Sequence, residues 1–127
     1  MKNIRSIRII FVVFASILNF FKLDHMKTKI KATNLELTEA LKDYIEAKLD
    51  MLNKYLGDIQ PLLCEFEVGL TTHHHQKGEI FRAEANLSLP GEMLRVSKTE
   101  KDLYKAIDKV KDHLAPMIVK YKETKRQ

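Results

Sequence analysis

Tryptophan is absent, cysteine occurs once, and 127 residues contain only three prolines and four glycines. A single cysteine excludes a disulfide framework within the chain and any zinc site built from several thiolates. With so few glycines there is no phosphate-cradling loop, and no serine elbow of a hydrolase occurs. No apolar run reaches the roughly 20 residues that span a bilayer. What is present is ordinary globular composition, 45% hydrophobic and 31% charged, at a length that suits one domain. Basic residues exceed acidic ones, 22 to 17, for a net charge of +5. Such a balance points to an anionic partner, nucleic acid or a membrane surface, once the charge is located along the chain.

Residues 1–25 stand apart. Lys2, Arg5 and Arg8 precede an apolar run from Ile9 to Phe21, interrupted by Ser16 and Asn19. The order resembles the basic and hydrophobic parts of an export signal, yet no small-x-small cleavage site follows. Three readings stand: an export signal, a short membrane-associating segment, or an upstream extension with translation starting at Met26. The last is preferred, and with it no stable membrane association is expected. Residues 1–25 carry +3 and residues 26–127 only +2. Within the latter, residues 56–94 are net −4 and residues 95–127 net +5, so the distribution says more than the sum.

From Met26 to Thr33, Thr28, Ile30 and Ala32 share one face and Lys27, Lys29 and Lys31 the other, which predicts a half-buried strand. Its lysines either guard an edge against aggregation or contact nucleic acid. Leu37 to Leu56 has helical periodicity, with Leu41, Tyr44, Ile45, Leu49, Leu52, Tyr55 and Leu56 on one arc. Asn34 or Thr38 caps its start and Gly57 ends it. Lys48 falls inside the apolar arc, so it either snorkels to an edge or points into a binding cleft. After a turn at Gly57–Pro61, Leu62, Cys64, Phe66, Val68 and Leu70 alternate with Glu65 and Glu67. His73 to Gly78 forms a hairpin loop. Phe81, Ala83, Ala85, Leu87 and Leu89 form a third strand, Pro90-Gly91 a tight turn, and Met93 to Lys98 a fourth strand. A second helix from about Lys101 buries Leu103, Ile107, Val110, Leu114, Ile118 and Tyr121. The expected fold is therefore α+β, a single β-α-β-β-β-α domain over residues 26–127. Its four-stranded sheet carries both helices on one face.

Convergent catalytic groups are missing, so no enzyme, small-molecule substrate or cofactor is read from the chain. Cys64 lies on an inward strand face and reads as a small buried hydrophobe. His73, His74 and His75 are consecutive, point to alternating sides and cannot chelate as a trio; they are solvated loop or phosphate and base contacts. The second helix is more informative. Lys105, Lys109, His113, Pro116 and Lys120 recur at helical spacing along one flank, without matched acids. Lys122, Lys125 and Arg126 extend the charge past the helix end, where the macrodipole favours cations. Beside Lys42, Lys48 and Lys54 of the first helix, this stripe would form a basic groove suited to a phosphate backbone. A solvated polar face is the alternative.

The residues also resemble a family. Met26-Lys-Thr-Lys-Ile-Lys-Ala-Thr, Leu37-Thr38-Glu39-Ala40-Leu41-Lys42, Ala47-Lys48-Leu49 and Leu52-Asn53-Lys54-Tyr55 resemble the opening of ribosome hibernation promoting factors. Lys101-Asp102-Leu103-Tyr104-Lys105-Ala106-Ile107-Asp108 resembles that family's Asp-hydrophobic-Tyr-x-Ala-Ile-Asp signature. Gly78-Glu79-Ile80-Phe81-Arg82-Ala83-Glu84 and Leu89-Pro90-Gly91 resemble its central hairpins. The resemblance implies a non-enzymatic cytoplasmic factor docked in the decoding channel of the small ribosomal subunit. There it would exclude messenger and transfer RNA in stress or stationary phase. It also implies ribosomal RNA contacts at Lys42, Lys48, Lys120 and Lys122, to which the charge pattern of the two helices adds Lys54, Lys105, Lys109, His113 and Lys125. His113 stands where a lysine is usual and Pro116 where an arginine is common; Lys105 and Lys109 would compensate by moving charge earlier in the helix. Ile107 is read as core and Asp108 as structural. The chain is similar to the family's short form, so ribosome pairing would either need a separate dimerising factor or not occur. The alternatives are a double-stranded-RNA-like module with another RNA target, or an exported or membrane-tethered adaptor if residues 1–25 are translated.

Overall fold

The computed structural model describes residues 26–71 and 78–125. The readings of residues 1–25, of the His73–His75 loop and of Arg126 lie outside the described residues. The chain runs β1 (Lys27–Thr33), α1 (Glu39–Asp50), a four-residue α2 (Asn53–Leu56), β2 (Leu63–Thr71), β3 (Ile80–Leu89), β4 (Glu92–Glu100) and α3 (Leu103–Lys125). The strands form one sheet in the order β1-β2-β3-β4, with β1 parallel to β2 and the other two pairs antiparallel. A parallel pair needs a crossover, and α1 with α2 supplies it. This is the expected α+β architecture.

Alternation decides which side of the sheet is buried. Cys64, Phe66 and Val68 of β2, Ala83, Ala85, Leu87 and Leu89 of β3, and Leu94 and Val96 of β4 all turn inward. They meet Leu41, Ile45 and Leu49 of α1, Leu52 and Leu56, and Ala106, Ile107, Val110, Leu114, Ile118 and Tyr121 of α3. Apart from the Tyr121 hydroxyl, which donates to the Pro90 carbonyl, this core holds no polar or charged side chain among the described residues and so makes little demand for internal hydrogen bonds. Ala83 and Ala85 are fully buried beneath the helical layer, where small side chains allow a helix backbone to approach the sheet closely.

The helix ends have local causes. Thr38, not Asn34, caps α1: its Oγ1 accepts the Leu41 N–H at 3.1 Å. Asn34 instead takes a left-handed conformation, φ 60°, in the turn that leaves β1. The Asp102 carboxylate accepts the Tyr104 N–H at 2.9 Å and caps α3.

Three expectations are corrected. The helix expected to run without a break from Leu37 to Leu56 stops at Asp50 and resumes at Asn53. At the break the Leu52 N–H bonds to the Leu49 carbonyl at 3.0 Å, a tighter three-residue turn. Because Met51 and Leu52 stay near helical dihedrals, the phase survives and both Leu52 and Leu56 still reach the core. Leu62 shares the parity of Cys64 but precedes β2 and is 63% exposed, because the sheet's inward face begins one residue pair later. The fourth strand extends to Glu100 rather than ending at Lys98, since pairing with β3 continues through Phe81.

Pro116 lies within α3, which continues through it to Lys125. Proline removes the hydrogen bond to the Asp112 carbonyl, but both residues are exposed, so water can satisfy that oxygen.

Burial pushes the Cys64 thiol up to about 12, with the neighbouring Glu65 charge adding to the shift. The buried thiol is therefore expected to resist alkylation at pH 8 and to label at the rate of global unfolding. Equal labelling rates in buffer and in denaturant would contradict its placement. From the ordinary value of 9.0 up to about 12 the unfolded thiol releases its proton while the folded one keeps it, so stability falls as pH rises through that window.

Candidate nucleic-acid interface

The helical layer carries most of the free positive charge, and its lysines fall into separate groups. On α3 the flank that faces α1 contains Tyr104, Asp108, Lys111, Ala115 and Val119, spaced by helical periodicity. Lys105, Lys109, His113 and Lys120 lie further round, on the exposed side of the helix. This corrects the expected groove: of the stripe, Pro116 shares a groove with Lys54, but the stripe's cationic members are not among that groove's residues. The first helix divides its lysines as well. Lys42 is six residues before Lys48, which sets the two about 120° apart around the axis. Lys48 faces α3 and Lys42 does not.

What lies between the helices is a mixed groove of about 400 Å³, lined by Met51, Lys54, Tyr55, Lys111, Asp112, Ala115, Pro116 and Val119. Lys111 pairs with Asp112 at 2.8 Å, and Lys54 rests over the Tyr55 ring at 5.0 Å. Next to it, Asp108 gathers a compact polar cluster. The Tyr44 hydroxyl donates to Asp108 Oδ1 at 2.7 Å, and Lys48 Nζ approaches the same oxygen at 3.3 Å. Lys48 Nζ also sits 5.2 Å from the centre of the Tyr44 ring. Tyr104 closes the cluster edge-to-face on Tyr44, with ring centres 4.7 Å apart and planes at 88°. Lys48 therefore neither extends into water nor points into an empty cleft; it answers the Asp108 charge. Asp108 is structural, as its sequence reading holds.

The outer side of α3 differs in kind. Lys109 hydrogen-bonds and ion-pairs with Glu100 at the end of β4, and that bond holds the Glu100 carboxyl below the usual carboxylate range. Lys42, Lys54, Lys101, Lys105, Lys120, Lys122 and Lys125 form no ion pair among the described residues. Lys122 and Lys125 drape over turns at the C-terminal end of α3. The Lys122 ammonium reaches Gly57, and that of Lys125 reaches Gly91 and the Tyr121 ring, 5.5 Å away. Tyr121 itself donates to the Pro90 carbonyl at 2.6 Å, which ties this end of the helix to the β3–β4 turn.

On the opposite, open face of the sheet several charges meet across strands. Arg82 pairs with Glu84 and donates to Ser97, while Arg95 donates to Asn86 at 2.7 Å and approaches Glu84 at 3.8 Å. Lys29 and Lys31 of β1 stand in register with Glu65 and Glu67 of β2, so the edge lysines face acids across the pair. A concavity of about 270 Å³ near Gly69 includes Glu67, Arg82 and Glu84, and it presents no unpaired cation.

Two residues of the helical layer escaped the sequence reading as interface residues. Lys111 is at the right spacing from Asp108 to be assigned to the α1-facing flank, but that flank has no identity until the position of α1 is known. Tyr104 was visible only as part of a signature.

The Asp108 hydrogen bond, with burial second, pushes the Tyr44 phenol from 10.0 up to about 12. Between those values the unfolded phenol ionises and the folded one does not, so this group's contribution to stability falls as pH rises. Tyr44→Phe is expected to cost about 1 kcal/mol at neutral pH, the worth of a typical hydrogen bond. It should lose less stability than the parent over the same alkaline window, as read by urea denaturation. An identical pH profile in both proteins would show that the Tyr44–Asp108 bond is not formed.

Comparison with known proteins agrees with this architecture. A family profile described as sigma 54 modulation protein / S30EA ribosomal protein matches residues 28–126. The ribosome hibernation promoting factor of Escherichia coli strain K12 is 30% identical over 102 residues, which cover 80% of this chain and 99% of that protein. The ribosome hibernation promotion factor of Deinococcus radiodurans is 30% identical over 94 residues, covering 74% of this chain but 48% of the relative, so the chain spans about half of that longer protein. Among solved structures, the N-terminal domain of Thermus thermophilus Protein Y superposes with a TM-score of 0.64 at 31% identity, covering 76% of this chain and 99% of that one. The chain belongs to the sigma 54 modulation protein / S30EA ribosomal protein family.

Proposed function

We propose that this protein is a ribosome hibernation factor. It acts without catalysis, binding the small ribosomal subunit in the decoding channel and blocking messenger and transfer RNA by occupying their space. In this reading the protein works in the cytoplasm during stress or stationary phase, on the domain that starts at Met26. Among the described residues no helix is long and apolar enough to cross a membrane. The observation that carries the reading is the set of lysines without ion pairs on the helical layer of a fold whose family profile matches residues 28–126. Exposed lysines without ion pairs among the described residues, Lys42, Lys54, Lys101, Lys105 and Lys120, lie on the helical layer, whereas on the open sheet face Arg82 and Arg95 share Glu84 and Lys29 and Lys31 stand opposite Glu65 and Glu67. A phosphate backbone is recognised by such a layer through electrostatics, which positions the protein without reading sequence.

Not all of the proposed contacts stand alike. Lys42, Lys54, Lys105, Lys120, Lys122 and Lys125 offer a free ammonium, and His113 an exposed imidazole. Lys48 and Lys109 would have to exchange Asp108 and Glu100 for phosphate. Compensation for the departures at His113 and Pro116 therefore falls on Lys105 more than on Lys109.

Sedimentation with purified small subunits over a range of salt concentrations tests this. Each phosphate contact adds about 0.7–0.9 to the slope of log K against log salt. Lys105→Ala is expected to lower the slope by about that amount, and Lys109→Ala by less, because Glu100 already answers that charge. Lys105→Glu combined with Lys109→Glu should weaken binding at least about tenfold. Unchanged affinity and slope in the double variant would overturn the assignment of this helix side to RNA. Binding to RNA duplexes but not to subunits would favour a different RNA target.

A further inference from the structure

Beyond the lysines, the helical layer holds one feature that phosphate binding leaves unused. Tyr104 is 45% exposed, the one aromatic among the large exposed hydrophobic side chains of the described residues. Tyr44, Tyr55 and Tyr121 are largely covered by packing or hydrogen bonding, whereas Tyr104 packs an edge against Tyr44 and leaves nearly half its surface in water.

Tyr104 is also held in place unusually well for a surface residue. Its backbone N–H is pinned by the Asp102 carboxylate at 2.9 Å, at the first turn of α3. Its ring is set perpendicular to that of Tyr44, 4.7 Å away. Tyr44 is in turn fixed by its 2.7 Å bond to Asp108, and Lys48 holds the same carboxylate from the other helix. Four residues from two helices thus orient a ring whose remaining surface meets solvent. Such preorganisation lowers the ordering cost of any ligand that stacks on it. Lys101 and Lys105 flank Tyr104 in the chain, both exposed and free of ion pairs among the described residues. An exposed aromatic ring with free cations near it in the chain has the parts by which proteins hold unpaired nucleotides, the ring taking the base and the ammonium groups the phosphates.

We propose that Tyr104, positioned by Tyr44, Asp108 and Lys48, is a stacking platform for an unpaired base of the bound RNA. The inference rests on the RNA-binding reading above and adds to it a contact with a base rather than a phosphate. Tyr104 would be the residue that touches the ligand; Tyr44, Asp108 and Lys48 would be positioning residues.

The test uses the full chain and two readouts. In sedimentation with small subunits, Tyr104→Leu is expected to raise Kd by roughly tenfold, within the range for loss of one base stack. The salt slope should stay unchanged, since no phosphate contact is lost, and Tyr104→Phe should bind like the parent. Because the protein contains no tryptophan, Tyr104→Trp introduces a single indole whose emission reports the site directly. A single-stranded oligoadenylate should quench it, and inorganic polyphosphate of equal charge should not. Parent-like subunit binding by Tyr104→Leu, with its urea midpoint also at the parent value, would overturn the proposal. So would quenching that is absent with oligoadenylate or equal with polyphosphate. If the parent protein does not bind small subunits at all, the functional reading fails instead, and the oligonucleotide readout still decides whether Tyr104 stacks on a base.

Discussion

Everything in this structure depends on a sheet buried on one face only. The apolar alternation of β2, β3 and β4 places a continuous hydrophobic layer against α1 and α3, and apart from the Tyr121 hydroxyl no polar side chain is sealed inside it among the described residues. Burial of this kind contributes roughly 25 cal/mol per Å² of apolar surface, the dominant favourable term in a domain this small. Its geometric consequence is as important. With the core in the middle, the polar residues divide into two outer surfaces that face opposite ways, the open sheet and the back of the helices. They can then carry different charge without conflict.

The two surfaces handle charge differently. On the open sheet, strand pairing places acids and bases next to one another, as in the Arg82–Glu84–Arg95 group and the Lys29–Glu65 and Lys31–Glu67 registers. On the helices only some acids are engaged, Asp102 in capping, Asp108 with Tyr44 and Lys48, and Asp112 with Lys111, while Lys109 answers Glu100 of β4 and Lys42, Lys105 and Lys120 have no ion pair among the described residues. The exposed side of α3 thus combines lysines free of ion pairs among the described residues with an aromatic ring held by its neighbours.

Much of this was legible in the order of residues. The inward parity of Cys64, Phe66 and Val68, the apolar arc of α3 and the Pro90-Gly91 turn are local patterns, and each appears in the fold as the pattern implies. The break after Asp50 was not legible, because Leu52 and Leu56 keep the helical period across it. Nor was the exposure of Leu62, whose parity is right but whose strand has not yet begun. For the surface, the stripe from Lys105 to Lys120 was readable as a stripe, but its relation to Lys48 was not. A helix wheel shows which residues share a flank and says nothing about which neighbour that flank meets.

Charge follows the same division. Composition and spacing alone establish that residues 56–94 are acidic and residues 95–127 basic, and that the basic part is helical, because these depend only on residue identity and period. Whether a given lysine is free or answered depends on side chains far away in the chain, as Lys48 and Asp108, 60 positions apart, demonstrate. Packing α1 against α3 placed Tyr44 and Lys48 around Asp108, turned Tyr104 edge-on, and left the Lys105 side in solvent. Those are properties of two helices in contact, and no single stretch of sequence contains them.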